Sequence, residues 1–183
     1  MSQKIINHQM IIDGKYTNSI TEKTVEIECP ANKRIFATVP RGNEADVDIA
    51  VKSSLKAFRS WSKVMPKERG KILLQIADAI EIEKEDIAKI IATETGNAIK
   101  TQARPEINLV VDIFRYFGGL SSELKGETIP LGEHVLSYTR REPLGVVGAI
   151  IPWNAPVMLG ACKIAPALCA GNTIVMKAAE DAP

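Results

Sequence analysis

The chain has 183 residues, 45% of them apolar and 25% charged, and a formal net charge of +1; these are the proportions of a soluble globular protein of one domain, or one and a fraction. The near-zero charge makes no electrostatic case for nucleic acid or an acidic membrane surface. Cys29, Cys162 and Cys169 form no CxxC pair, which argues against a disulfide framework and for a reducing compartment.

The first ten residues, MSQKIINHQM, lack the apolar run of a leader. The apolar stretch from Val146 to Ile151 is too short, and too closely bounded by Gly and Pro, to span a bilayer. A soluble cytoplasmic protein is expected, with neither nucleic acid nor membrane as partner.

Residues 5–40 read as β hairpins. Asp13-Gly14 lies between the strand formers Met10-Ile11-Ile12 and Lys15-Tyr16, a hairpin-turn signal. A second pair runs from Thr24–Glu28 to Arg34–Val39 through the Pro/Asn-containing linker 29–33. The period then changes to that of helices. Asn43 suits an N-cap with Asp46 at the third position, and Val47, Val51, Leu55 and Phe58 follow on one face. Pro66 suits the first turn of a second helix, with Ile72, Leu73, Ile76 and Ile80 as its stripe. A third helix carries Ile87, Ile90 and Ile91 and stops at Gly96. A fourth carries Ile107, Val110, Val111, Phe114 and Phe117, and Gly118-Gly119 is expected to end or loosen it. All four stripes read as core packing.

After Gly126 the pattern returns to strand. Residues 134–140 alternate as an exposed or two-sided ribbon, which Pro143 breaks. Leu144–Ile151 is a nearly continuous apolar run, as in a strand buried on both faces. Pro152-Trp153-Asn154-Ala155-Pro156 is a turn, Val157–Ala170 an apolar helix that Pro166 should bend or interrupt, and Thr173–Met176 a second buried strand. Strand, helix, strand is a βαβ unit and implies a parallel sheet. Such a sheet needs a further crossover and further strands, so the chain reads as truncated after residue 183.

In an open parallel sheet, ligands bind beyond the carboxyl ends of the strands. A βαβ unit places those two ends side by side, which brings Asn154, Lys177 and Glu180 to one rim. An acidic side chain there can accept hydrogen bonds from ribose hydroxyls, and a lysine can donate to the same ribose or to a phosphate. The usual glycine fingerprint is absent, because Gly145-x-x-Gly148 lies within the first strand and not after it. The alternative is a solvated charged loop for Lys177 and Glu180 and a turn-forming role for Asn154. Cys162 and Cys169, seven apart on the apolar helix, read as buried thiols. His8 and His134 read as surface residues, and no metal-ligand spacing is present.

LGVVGAIIPWNAP followed by KIAPALCAGNTIVMKAAEDAP resembles the aldehyde dehydrogenase superfamily. Upstream, IIDGKY, ECPANKRIFATVP, AFRSWSKVMPKERGKILLQIADAIE, ETGN, FRYFGGLSSELKGETIP and YTRREP agree in order, so the likeness covers nearly the whole chain. The resemblance implies an α/β fold: the N-terminal part of an aldehyde-dehydrogenase-like fold, hairpins and helices followed by the first βαβ unit of a Rossmann-like parallel sheet. It divides the chain into the N-terminal part of the cofactor-binding domain (1–123), an oligomerisation ribbon (124–143) and the truncated βαβ unit (144–183).

The resemblance further implies oxidation of an aldehyde to a carboxylic acid with NAD, or with NADP as the alternative, in a homodimer or homotetramer at full length. Asn154 would be the catalytic amide that donates to the substrate oxygen. Lys177 and Glu180 would hold the adenosine ribose, and Ile150, Ile151 and Trp153 would line the cofactor cleft. Two departures stand out. Ala155 replaces an aromatic residue common after PWN, and Cys162 takes a bulky position on the same helix, which would widen the substrate tunnel. The family's nucleophilic cysteine and its water-activating glutamate match nothing here, so the chain alone is expected to be inactive. An inert remnant that binds a nucleotide or a partner, or an acylating or reductase member of the superfamily, are the alternatives.

Overall fold

The computed structural model describes residues 5–183; the first four residues of the stretch read for a leader lie outside it. The described residues begin in short strands. β1 (Ile6–Asn7) pairs in parallel with β5 (Arg34–Pro40), which pairs antiparallel with β4 (Thr24–Cys29). β2 (Met10–Ile12) and β3 (Lys15–Thr17) form a separate hairpin. Its turn is Asp13-Gly14, both with positive φ (55° and 69°), the conformation for which an Asp-Gly pair is suited. The parallel partner β1 was not legible in the sequence, because two residues carry no period. It is held by main-chain and side-chain bonds to Thr38.

Helix α1 (Glu44–Trp61) starts with the expected capping box: the Asn43 side chain accepts from the Ala45 and Asp46 amides, and Asp46 accepts from the Asn43 amide. Asp46 is buried and also accepts from the Ser19 hydroxyl (2.6 Å) and the Ile20 amide (2.9 Å). The Ser19 bond, then the backbone donors, hold its carboxyl below the usual range against the opposing effect of burial. Its contribution to stability is therefore present above the ordinary carboxylate pKa and is lost as the pH falls through the lowered one. One cap thus ties the loop between the two hairpins to the first helix.

The expected core stripe of α1 is not buried in this chain. Val47 and Leu55 are about half exposed (52% and 50%), and Val51 and Phe58 are half-buried. The face that packs is the one bearing Ser54, whose hydroxyl donates to the Ile174 carbonyl and whose carbonyl accepts from Thr173. Periodicity identifies an apolar face but not its cover.

The two middle helices of the sequence reading are one. Helix α2 runs unbroken for 30 residues from Pro66 to Thr95, with Pro66 at its start and Gly96 (φ 74°) as its left-handed C-cap. No Gly or Pro lies between Ile80 and Ile87, so the intervening charged run EIEKED is helix surface rather than a break. Its inward residues are Leu73, Ala77, Ala88 and Ile91, while Ile72 and Ile90 lean outward. A five-residue π turn (99–103) leads into α3 (Arg104–Leu120), which buries Ile107, Val110, Val111 and Phe114 as expected. Gly118-Gly119 does not end it. The helix runs to Leu120 and tightens into a 3₁₀ turn (121–123).

Gly118 serves a close crossing instead. A Cβ at Gly70 of α2 would stand 2.5 Å from the Gly118 carbonyl oxygen, and one at Gly118 would stand 2.9 Å from Leu74 Cγ. Against this α2–α3 pair packs α4 (Pro156–Cys169), which adds Ala161, Ala165 and Cys169 to the core. Pro166 lies inside α4 without ending it.

Between α3 and the last unit, β6 (Thr128–Pro130) and β7 (Leu136–Tyr138) form an antiparallel ribbon. The second strand is shorter than residues 134–140, and the ribbon is exposed on both faces apart from half-buried Ser137. β8 (Val146–Ile150), α4 and β9 (Thr173–Lys177) form the expected βαβ unit, β8 and β9 pairing in parallel from Val146↔Thr173 to Ile150↔Lys177. Neither strand is buried on both faces: Ile150 is 77% and Met176 47% exposed. Among the described residues this sheet has two strands, so neither has bonded neighbours on both sides. No described helix is long and apolar enough to cross a membrane.

The glycine crossing makes a direct prediction. Gly70→Ala drives a methyl into a backbone carbonyl and should cost about 1–3 kcal/mol. Gly119→Ala meets nothing within 4 Å and, by removing glycine from a helix, should be neutral or stabilising. Thermal unfolding of the two variants checks this; equal melting temperatures would show that the helices do not approach so closely.

Candidate functional site

The C-terminal ends of β8 and β9 form the candidate site. Their register puts Ile150 beside Lys177, and the Ile151 amide donates to the Lys177 carbonyl at 3.0 Å, extending the pairing one residue past β8. Ile151 is buried and pins the strand end, whereas Ile150 and Trp153 (57% exposed) present apolar surface at the rim. At the end of β9, Lys177 Nζ lies 3.8 Å from Glu180 Oε1, and both side chains are largely exposed (57% and 77%). A pair this long and this solvated is worth under about 1 kcal/mol, so either group can turn to a ligand at little cost.

Asn154 lies in the exposed turn between β8 and α4. Its backbone carbonyl accepts from Asn97 Nδ2 at 3.1 Å, which ties the turn to the loop just past the Gly96 cap of α2. At the far end of the turn, Glu106 Oε1 accepts from the amides of Val157 and Met158, each at 3.1 Å. Ile150, Ile151 and Lys177 are thus in direct register, Glu180 pairs with Lys177, and Trp153 and Asn154 occupy the adjoining turn.

Asn97 and Glu106 were missed in the sequence. Asn97 reads there only as the residue after a helix-ending glycine. Glu106 did leave a signal: with Val110, Ile113 and Phe117 it follows helical spacing, so an acidic residue sits on the apolar stripe of α3. An acid in that position is buried and needs donors, and it finds them at the start of α4.

That contact has a chemical consequence. In the usual dinucleotide fold the pyrophosphate takes the amides at the start of the first crossover helix. Here a carboxyl group already occupies two of them, in keeping with the missing glycine fingerprint. The side chains left open to a ligand are those of the strand ends. The rim is not enclosed by this chain. A hollow of about 560 Å³ does open among the N-terminal strands, lined by polar residues including Asn7, His8, Asn18 and Lys23; none of its lining residues belongs to β8, β9 or the turn after β8.

Of the three cysteines, Cys29 and Cys169 are buried, and the Cys169 thiol lies 3.4 Å from the Ser121 hydroxyl. Cys162 is exposed, contrary to expectation: it shares a helix face with buried Cys169, seven residues on, but that face is covered only towards its C-terminal end, and at the level of Cys162 the residue that packs inward is Ala161. His8 and His134 are exposed, as read.

Residues 16–183 match the model of the aldehyde dehydrogenase family. The chain belongs to that family. It is 42% identical over 177 residues to aldehyde dehydrogenase 1 of Tanacetum cinerariifolium, covering 96% of this chain and 36% of that one. It is 36% identical over 183 residues to the cytosolic aldehyde dehydrogenase 1 of Macroscelides proboscideus, covering 98% and 36%. Among solved structures, the NAD-dependent aldehyde dehydrogenase from Sinorhizobium meliloti superposes with a TM-score of 0.94 at 32% identity, over 98% of this chain and 36% of that one. PnpE in complex with nicotinamide adenine dinucleotide, a protein known from Pseudomonas sp. WBC-3, does so with 0.89 at 37% identity, over 92% and 35%. The chain therefore spans a little over a third of the length of the aldehyde dehydrogenases it matches.

One further group near the Asn97 loop titrates abnormally. Burial pushes the Glu94 carboxyl, in the last turn of α2, up from 4.5 to about 7. A raised acid pKa in the fold means that stability is fully present below pH 4.5, falls as the pH rises towards 7, and stays reduced above it. Glu94→Gln should therefore match the parent near pH 4 and become progressively more stable than it up to pH 7, with a constant gain above. Denaturant unfolding from pH 4 to 8 measures this, and parallel curves for the two proteins would contradict it.

Proposed function

We propose that this chain is the cofactor-side portion of an enzyme that oxidises an aldehyde to a carboxylic acid with NAD. The observation that carries the reading is the shared rim: an amide-bearing turn and a lysine–glutamate strand end, brought together by the parallel register of β8 and β9 in a chain of this family. Lys177 and Glu180 fit a ribose, since both are exposed and only loosely paired to each other. Ile150, Ile151 and Trp153 would line the cleft beside it. When bound, the dinucleotide would supply the hydride acceptor. Asn154 would donate its amide to the substrate oxygen and stabilise the negative charge that develops on it when a thiolate adds to the carbonyl.

That thiolate is assigned to none of the three cysteines of this chain. Two are buried, and Cys162 has no motif match. The residues by themselves are thus expected to form no NADH from any aldehyde. The parts fall into the helical and hairpin portion 1–123, the ribbon 124–143 and the βαβ unit 144–183. Leu136 (80% exposed) and Tyr138 (66%) on an otherwise uncovered ribbon support its use in joining subunits into a dimer or tetramer; the enzyme would work in the cytoplasm.

Asn154→Ala in the full-length enzyme should lower kcat roughly 10²–10³-fold while leaving the Kd for NAD within about threefold, because the amide acts on charge present only in the transition state. An Asn that merely shapes the turn would give an earlier melt with little kinetic defect instead.

NAD should be preferred over NADP, because a carboxyl group on the ribose 2′-hydroxyl repels a 2′-phosphate, with Lys177 offsetting part of that repulsion. Comparing kcat/KM for the two cofactors decides it, and Glu180→Gln should narrow the gap. Equal use of NADP by the unaltered enzyme would refute the ribose assignment.

A further inference from the structure

An oxyanion donor works only if it is held within about 0.5 Å of the productive position, yet Asn154 sits in an exposed turn. What holds it is not local. The N-cap of α4 is Ala155, which has no acceptor, and Pro156 follows without an N–H. The first amides needing a partner are those of Val157 and Met158, and both donate to the single oxygen Oε1 of Glu106, at 3.1 Å each. Glu106 is 8% exposed and stands in the first turn of α3, immediately before the fully buried Ile107. A Ser, Asp or Asn at position 155 would cap the helix from within the turn. It would also place a second polar group beside the Asn154 amide, where the two would compete. Capping from α3 leaves the amide's surroundings free. On the other flank, Asn97 Nδ2 fixes the Asn154 carbonyl at 3.1 Å. The turn is thus strung between two anchors, one in the loop just past the end of α2 and one in the first turn of α3.

We propose that Glu106, with Asn97 as its counterpart, is a positioning residue that sets the direction of the Asn154 amide. This rests on the oxyanion reading of Asn154 given above. Glu106 touches neither substrate nor cofactor; it acts through the first turn of α4.

The test is a double-mutant cycle on kcat in the full-length enzyme, with amide hydrogen exchange as a second readout. Glu106→Leu should lower kcat about tenfold or more and leave the Kd for NAD within about twofold. Combined with Asn154→Ala it should cost less than about twofold further, because its route to the chemistry is already gone. Glu106→Gln keeps an oxygen acceptor and should restore kcat to within about threefold. Asn97→Ala, in the half-buried loop that holds the other flank of the turn, should show the same dependence on Asn154 with a smaller factor, and it serves if Glu106→Leu does not fold. Equal losses in the presence and absence of Asn154, or a Gln variant as impaired as the Leu variant, would overturn the proposal. Exchange separates the two readings. Faster exchange at Val157 and Met158 in Glu106→Leu, with an Asn154→Ala enzyme of normal kcat, would leave the anchor standing but overturn its catalytic purpose. Unchanged exchange at those amides would overturn the anchor itself.

Discussion

The parallel pairing of β8 with β9 is the constraint on which the candidate site depends. A parallel register can be reached only through a crossover, and here the crossover is α4. Once Ile150 is set beside Lys177, the two strand ends and the turn that follows β8 must share one edge of the molecule. The site is therefore a consequence of chain topology before it is a matter of side chains. Only the placement of α4 against the core then decides how the turn is aimed.

That placement is governed at both ends of α4 by charged side chains from distant helices. At its N-terminus Glu106 accepts from two free amides. At its C-terminus the buried Arg69 of α2 donates through Nε to the Cys169 carbonyl (3.1 Å) and through a terminal nitrogen to Val64 (2.5 Å). Burial lowers the Arg69 pKa from its ordinary value, with the nearby Cys169 acting in the opposite sense. An acid at the start and a base at the end match the sign of the helix dipole. Gly171, at φ 88°, lets the chain turn against the guanidinium, where a Cβ would stand 3.3 Å from its carbon. A helix with no side-chain cap of its own is thus fixed in register by its neighbours.

The same economy shows in the rest of the core. α2 and α3 cross at Gly70 and Gly118 with backbone nearly touching, and α4 completes a cluster around Leu73, Ile91, Ile107 and Val110. Burial of such side chains stabilises by roughly 1.5–3 kcal/mol each, which makes this helical layer the main packed core of the described residues. The ribbon and the outer faces of β8 and α1 keep apolar groups in contact with water, among them Leu136, Ile150 and Leu55.

Local chemistry was enough for the Asp13-Gly14 turn, the Asn43–Asp46 capping box, the Pro66 start, the Gly96 stop and the βαβ order, because each depends on residues a few positions apart. From that order alone follows the meeting of Asn154, Lys177 and Glu180 at one edge. What the sequence could not decide depends on distant partners. The passage of α2 through EIEKED is the exception, since the run holds no Gly or Pro and only its charge suggested a break. Whether the Val47–Val51–Leu55–Phe58 stripe is covered depends on what packs there, and the Ser54 face packs instead. Gly118-Gly119 reads as a helix end until Gly70 is placed opposite. Glu106 shows in the sequence as an acid on an apolar stripe, but its partners, the amides of α4 fifty residues later in the chain, do not. Hydrogen bonds and close backbone contacts between segments so far apart leave no period to read, so only the tertiary structure brought them into view.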